Sequence, residues 1–208
     1  MEYRHVTERV VLHVGYACNL RCPVCFGHGH PEPPRHLTPD QVNEILYALK
    51  TQDPPPEVIQ VSGGEPTEHP QLVEILHRIR RRGFRLQLVT NGLELGRNPE
   101  LIASIAHVEP TMVLQMDGVD PRTHETLRGR DVSREKLATL RMLGVHELRV
   151  VLLATVVRHV NEHEVGSLVD MAIRRSHVSG LILQPATRAG RFAVNGPSAV
   201  DDPDERIS

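Results

Sequence analysis

An α/β fold built on a parallel sheet is what the sequence predicts, and two observations predict it. Short β-rich runs alternate with amphipathic helical windows, strand then helix, at intervals of about 25–45 residues, which suits one right-handed crossover each. The Gly-, Asn- and Asp-containing segments that could carry chemistry recur after successive strands. In parallel α/β proteins that edge is where loops converge to build sites. Six strands fit either a doubly wound sheet or an incomplete barrel, and periodicity alone does not separate them.

The first strand is expected over residues 10–14 (VVLHV), followed by a Gly-, Pro- and His-rich loop over 15–36. Thr38-Pro39-Asp40-Gln41 then opens a helix: Thr38 caps, Pro39 sits where its missing N–H costs nothing, and Gln41 reaches back. Val42, Ile45, Leu46 and Leu49 follow at helical spacing. A second strand, 58–61, ends in Ser62-Gly63-Gly64-Glu65-Pro66. The next helix carries Leu72, Ile75, Leu76 and Ile79 on one face and stops at Gly83. Residues 85–90 read as the third strand, 99–106 as a short helix and 112–116 as the fourth strand, closed by Asp117-Gly118. Helix 134–143 stops at Gly144, strand 148–157 follows, and Asn161-x-x-Glu164 opens a helix reaching about residue 175. The sixth strand is 181–184.

Composition removes several function classes. With 39% apolar and 24% charged residues in 208, the chain can bury a core and stay soluble. A net charge of −2, 3% aromatics and no Trp leave no electrostatic or stacking case for nucleic acid. The longest apolar run, residues 150–157, falls far short of the ~20 residues that span a bilayer, so no integral membrane segment is expected. The N-terminus has no apolar signal core, and the 3 cysteines are an odd number crowded at Cys18, Cys22 and Cys25. That usage points to a metal site in a reducing cytoplasm rather than a secreted disulfide framework. Basic residues are nearly all Arg, with only Lys50 and Lys136 as lysines, which reads as genome composition.

The cysteines are the sharpest feature. In CNLRCPVC they are spaced C-x3-C-x2-C on a loop that Pro23 stiffens, and the chain holds no other thiol. A closed structural zinc site takes four ligands, typically with C-x2-C pairs, whereas three thiolates on a four-iron cluster leave one iron open. His28 and His30, just beyond Cys25, are the candidate fourth ligands if the site is closed. His13 reads as a core or barrel-lining residue, and Arg80-Arg81-Arg82 as a solvated helix end. Arg128 and Arg130 could hold an acidic substrate group.

CNLRCPVC resembles the cluster-binding motif of the radical S-adenosylmethionine (SAM) enzymes, and Gly63-Gly64-Glu65-Pro66 resembles that family's second motif. The resemblance runs from about residue 10 to 191. Leu114-Gln115-Met116-Asp117-Gly118, with Leu127-Arg128-Gly129-Arg130, is similar to members related to dihydropterin methylases and tetraether lipid synthases. Gln184-Pro185 and Gly190-Arg191 fit the same group.

The resemblance implies a partial (β/α)6 TIM-like barrel over residues 1–191, with 192–208 as a tail or the start of a further segment. It implies that Cys18, Cys22 and Cys25 hold a 4Fe–4S cluster whose fourth iron is chelated by the amino and carboxylate groups of SAM. Gly63 and Gly64 would let the backbone approach the methionyl part, with Glu65 near its ammonium. Val24 stands before the third cysteine, where many members have an aromatic, and Phe26 could contribute to adenine packing. Asn91, Gln115 and Asp117 are candidates for the ribose or the substrate. For Asn91 a turn role is as well supported, and for Asn161 a helix cap.

The implied reaction is one-electron cleavage of SAM to methionine and a 5′-deoxyadenosyl radical, which abstracts hydrogen from a small-molecule or lipid substrate. Flavodoxin or ferredoxin would be the electron donor. Lipid or pterin alkylation fits the subgroup. A peptide-modifying enzyme is the alternative, and a non-catalytic zinc or iron–sulfur module the alternative of another class.

Overall fold

The computed structural model describes residues 6–27, 29, 36–187 and 190–194. His28, His30 and residues 195–208 of the expected tail lie outside the described residues. In chain order the elements are β1 (Arg9–His13), β2 (Val24–Cys25), α1 (Pro39–Lys50), β3 (Val58–Ser62), α2 (Leu72–Arg81), β4 (Arg85–Thr90) and α3 (Pro99–Ala106). Then come β5 (Thr111–Gln115), α4 (Pro121–Arg128), α5 (Ser133–Val145), β6 (Val150–Val156), α6 (Val165–Ile173), β7 (Val178–Pro185) and β8 (Arg191–Phe192).

Strands β1, β3, β4, β5, β6 and β7 make one six-stranded sheet in that order, and every neighbouring pair is parallel. Each long strand lies beside the next along the chain, without the reversal of winding that a doubly wound sheet needs at its switch point. Strand order therefore selects the partial barrel. Among the described residues β1 and β7 each pair on one side only, so the barrel is open between them.

The two faces of the sheet are chemically distinct. Along β6 the buried residues Val150, Leu152, Ala154 and Val156 alternate with half-buried Val151, Leu153 and Thr155. Val150, Leu152 and Ala154 join the outer apolar layer, where Ile75, Leu76, Ile79, Leu140 and Leu143 of the helices meet the strands. The alternate set faces the barrel interior, and Leu153 and Thr155 line a cavity at its C-terminal end.

The helix signals hold in most places. Thr38 and Gln41 form the expected capping box, Gln41 N–H to Thr38 Oγ1 at 3.2 Å and Thr38 N–H to Gln41 Oε1 at 2.9 Å. Gly83, at φ 76°, follows the last residues of α2. Three readings need correction. Gly144 does not end α5, which runs through it to Val145. The position is small because a Cβ there would stand 2.7 Å from the His177 ring.

Helix α4 is an additional element, framed by Asp120 as N-cap, Pro121 at its start and left-handed Gly129 after it. Asn161 is not a side-chain helix cap. It accepts the Val157 N–H at 2.8 Å and donates to the carbonyls of Asp117 and Thr155 at 2.8 and 2.9 Å. It thus ties the end of β6 to the turn after β5.

Candidate functional site

The cysteine loop leaves the end of β1 and folds back over the barrel mouth. Cys18 and Cys22 are buried and Cys25 is half-buried. All three line one cavity of about 240 Å³ together with His13, Ser62, Gly63, Gly64, Glu65, Asn91, Gln115, Thr155 and Gln184. Residues from six strand ends and the loop therefore meet where sequence reading placed the chemistry. Val24 and Phe26 are also in the lining. Val24 is largely buried against Leu127, Val157 and Val194, whereas Phe26 is 74% exposed at the mouth.

Gly63 and Gly64 have a role beyond ligand approach. A Cβ on Gly63 would stand 2.3 Å from the Gly15 carbonyl oxygen, and one on Gly64 2.3 Å from that of Ala17. Into that space run two backbone hydrogen bonds, Gly64 N–H to Gly15 O at 2.9 Å and Glu65 N–H to Ala17 O at 2.7 Å. The glycines thus allow the second motif to lock directly onto the start of the cysteine loop. Gly63, at φ 146°, adds a backbone conformation that side chains resist.

Glu65 is buried, not a solvated surface carboxylate. Its Oε1 accepts from Thr67 N–H, Thr67 Oγ1 and Thr90 Oγ1 at 3.1, 2.7 and 2.6 Å, and its Oε2 from Asn91 N–H at 2.7 Å. Burial raises its pKa, and these donors oppose the rise. Asn91 serves the turn and faces the cavity at once. Its Oδ1 accepts the Leu93 N–H at 2.9 Å, and its Nδ2 donates to Asn19 of the cysteine loop at 2.8 Å.

Asp117 departs from expectation. Unlike Gln115 it has no access to the cavity, being 0% exposed. Its carboxylate is taken up by Arg128, whose Nε and Nη2 donate to Oδ2 and Oδ1 at 2.6 Å each, and by Thr155 N–H at 3.0 Å. Arg128 does line the cavity, but its fork is taken up by Asp117 rather than left free for an acidic substrate. Arg130 is at the surface, paired with Glu135 at 2.9 Å.

Two contributors escaped sequence reading. Lys136, dismissed as composition, is fully buried. Its Nζ donates to the carbonyls of Asn91 and Gln115 at 2.9 and 2.7 Å, joining the ends of β4 and β5. Burial pulls its pKa down to about 8. The second is the segment after β7. β8 pairs antiparallel with β2, Cys25 opposite Arg191. Arg191 Nη2 donates to Gly29 O at 2.7 Å, and Ala193 N–H to Pro23 O at 3.0 Å. Residues 192–194, assigned from sequence to a tail, are thus packed on the cysteine loop.

The donor set suits a cluster that takes three protein thiolates. Burial pushes the Cys18 thiol up to about 12, the Leu20 N–H lowering it and Glu65 adding to the rise. A thiolate there therefore needs strong positive charge, which iron supplies. Among the described residues no group of three or more His, Cys, Asp or Glu is arranged to hold a single metal ion. Nor, among them, is any helix long and apolar enough to cross a membrane.

Residues 12–172 match the Radical SAM superfamily. Among curated proteins, the chain is 30% identical over 181 residues to the 7,8-dihydro-6-hydroxymethylpterin dimethyltransferase of Methanocaldococcus jannaschii, covering 84% of this chain and 35% of that relative. It is 31% identical over 131 residues to the S-adenosylmethionine-dependent nucleotide dehydratase of Selenomonas ruminantium, 62% of this chain and 46% of the relative. The chain therefore spans about a third to a half of these relatives' length. Among solved structures, Streptococcus suis SuiB bound to S-adenosylmethionine matches with a TM-score of 0.78 at 17% identity, over 91% of this chain and 43% of that one. The anSMEcpe structure with bound AdoMet matches at 0.64 and 19% identity, over 85% of this chain and 51% of that one. At these identities the likeness is one of fold.

Proposed function

The chain belongs to the radical SAM superfamily, whose members use a 4Fe–4S cluster and SAM, and from that premise we propose that it cleaves SAM reductively to a 5′-deoxyadenosyl radical that abstracts hydrogen from a small hydrogen-bonding molecule of pterin type. The observation that carries this is the convergence of Cys18, Cys22 and Cys25 with Gly63-Gly64-Glu65 on one cavity at the C-terminal end of the barrel. Bound there, cluster and SAM together would supply the electron transfer that breaks a C–S bond and yields a 5′-deoxyadenosyl radical.

The chain's own residues do the rest. Cys18, Cys22 and Cys25 would hold three irons. Glu65 presents a carboxylate toward the cavity for an ammonium, held rigid by Thr67, Thr90 and Asn91. Gln115 and Asn91 stand at the wall for ribose or substrate. Val24 and Phe26 would flank the adenine, Phe26 from its exposed place at the rim. Asp117 contributes by holding Arg128 rather than by touching a ligand.

The remaining lining supports the substrate class. His13, Ser62, Gln115, Thr155 and Gln184 are hydrogen-bonding groups set among apolar Leu20, Val89, Leu153 and Pro185 around the cavity, a mixed lining that suits a heterocycle with polar edges. Similarity to the pterin dimethyltransferase agrees. Flavodoxin or ferredoxin would donate the electron, and residues 1–191 would form the catalytic core.

Anaerobic reconstitution with iron and sulfide, then dithionite and SAM, tests the reading by assay of 5′-deoxyadenosine. Near four irons per chain with 5′-deoxyadenosine formed, and both lost in Cys22→Ala, is the expected result. One tightly bound zinc and intact SAM would make the chain a metal-binding module instead. Product analysis with a reduced pterin, an isoprenoid lipid or a peptide then separates the substrate classes.

A further inference from the structure

The guanidinium of Arg128 lies at the centre of the buried polar network, and the reaction as drawn gives it no part. Arg128 is 5% exposed and its partner Asp117 0%. The pairing is bidentate, with both contacts at 2.6 Å, a geometry that fixes the plane of the fork as well as its charge. The same side chain reaches Val24 O and Thr155 Oγ1, each at 3.4 Å, so it spans from β6 to the cysteine loop.

With Asp117 on one side, the guanidinium faces the cavity that Cys22 also lines, and its Nη1 reaches the loop between Cys22 and Cys25 at Val24 O. Turned so that its oxygen faces Arg128, the Gln115 amide accepts from it as well. The pair as a whole is neutral, which makes its burial tolerable, yet its positive end reaches the cysteine loop. Lys136, also buried, and Glu65 are the other charges around this wall.

We propose that Arg128 is a positioning residue that Asp117 clamps as an immobile cation beside Cys22, where it raises the reduction potential of the bound cluster. This rests on the proposed function, since it requires Cys22 to be a cluster ligand. The physical reason is direct: an added electron is stabilised by fixed positive charge and by hydrogen bonds to ligand sulfur, the levers by which proteins set iron–sulfur potentials. A lysine would keep the charge but lose the bidentate plane. Removing Asp117 would leave the cation uncompensated.

Redox titration of the reconstituted chain, followed by the electron paramagnetic resonance signal of the reduced cluster, tests this with iron content and thermal melting as companions. Arg128→Gln and the double variant Asp117→Asn/Arg128→Gln should lower the midpoint potential. Asp117→Asn alone should raise it, and Arg128→Lys should stay nearest the wild type. Opposite signs for the two single changes are what a mere packing role would not produce. If Arg128→Gln fails to fold because it strands a buried carboxylate, the double variant, which strands none, decides. Potentials that match the wild type in every folded, iron-loaded variant overturn the proposal. A wild-type chain that holds no cluster overturns the reading beneath it as well.

Discussion

Glu65 binds its surroundings through four accepted hydrogen bonds, every one from a protein donor. Glu65→Gln would turn one acceptor into an NH2 facing another N–H or hydroxyl, and leaving a buried donor unpaired costs about 1–3 kcal/mol. Urea unfolding of the metal-free chain should show that loss, and an unchanged midpoint would mean that the bonds contribute nothing net. Lys136 gives a pH signature. Its ammonium is fully buried, and its pKa falls from 10.5 to about 8. Below about 8 the folded and unfolded chains are both protonated there, so the full cost of burying the charge is present. Between about 8 and 10.5 only the unfolded chain keeps the proton, so stability rises with pH across that window. The difference in unfolding free energy between the wild type and Lys136→Met should therefore grow in favour of the wild type from pH 7.5 to pH 10. Parallel pH profiles for the two chains would refute the assignment. At this scale sequence was a poor guide: nothing in SREKLATL says that the lysine points inward, because helix α5 has a weak apolar stripe and burial is decided by the carbonyls of two distant strand ends.

Between elements, the second motif and the cysteine loop behave as one unit. The peptide spacing C-x3-C-x2-C was legible, and so was the Gly-Gly-Glu run after a strand. The reason for the glycines was not, because it lies in the backbone of Gly15 to Ala17, which only the parallel pairing of β1 with β3 brings alongside. Gly64→Ala puts a methyl group within 2.4 Å of two carbonyl oxygens, those of Ala17 and Tyr16, with no flexible side chain to yield. The loop must then lift, at a cost of about 1–3 kcal/mol for overpacking. Iron retained after desalting should fall sharply while the barrel still melts cooperatively. Retention equal to the wild type would show that the loop is held by other means. Arg191 is the complementary hold on the far side of the same loop, through Gly29 O and the β2–β8 pair. Two-residue strands joined across most of the chain leave no periodicity to read, which is why β8 was invisible. Helix α4, by contrast, had its signals in plain view: Asp-Pro at its start and Gly129 at its end.

For the molecule as a whole, the division between scaffold and site is what the alternating pattern encodes. Strand order and helix faces could be read because burial on one side repeats every second residue in strands and every third or fourth in helices. Barrel and doubly wound sheet remained alternatives, since the two share that local pattern and differ only in which strands become neighbours. The same division has an energetic consequence. The main apolar layer joins all six long strands to the helices and contains none of the cysteines. Cys18 and Cys22 belong to a separate small cluster with Leu20, Leu93 and Val132. A chain with all three cysteines changed to Ala should therefore fold without metal, losing at most about 2 kcal/mol from the vacated sulfur volume. Ile75→Ala, in the main layer and fully buried, should cost about 2–5 kcal/mol while leaving the thiols able to take up iron wherever the variant is still folded. Circular dichroism with urea titration, beside iron analysis, reads both effects in the same samples. A triple variant that loses its cooperative transition would mean that the cysteine loop is part of the folding core. The partial barrel would then no longer be a scaffold that stands without its cofactor.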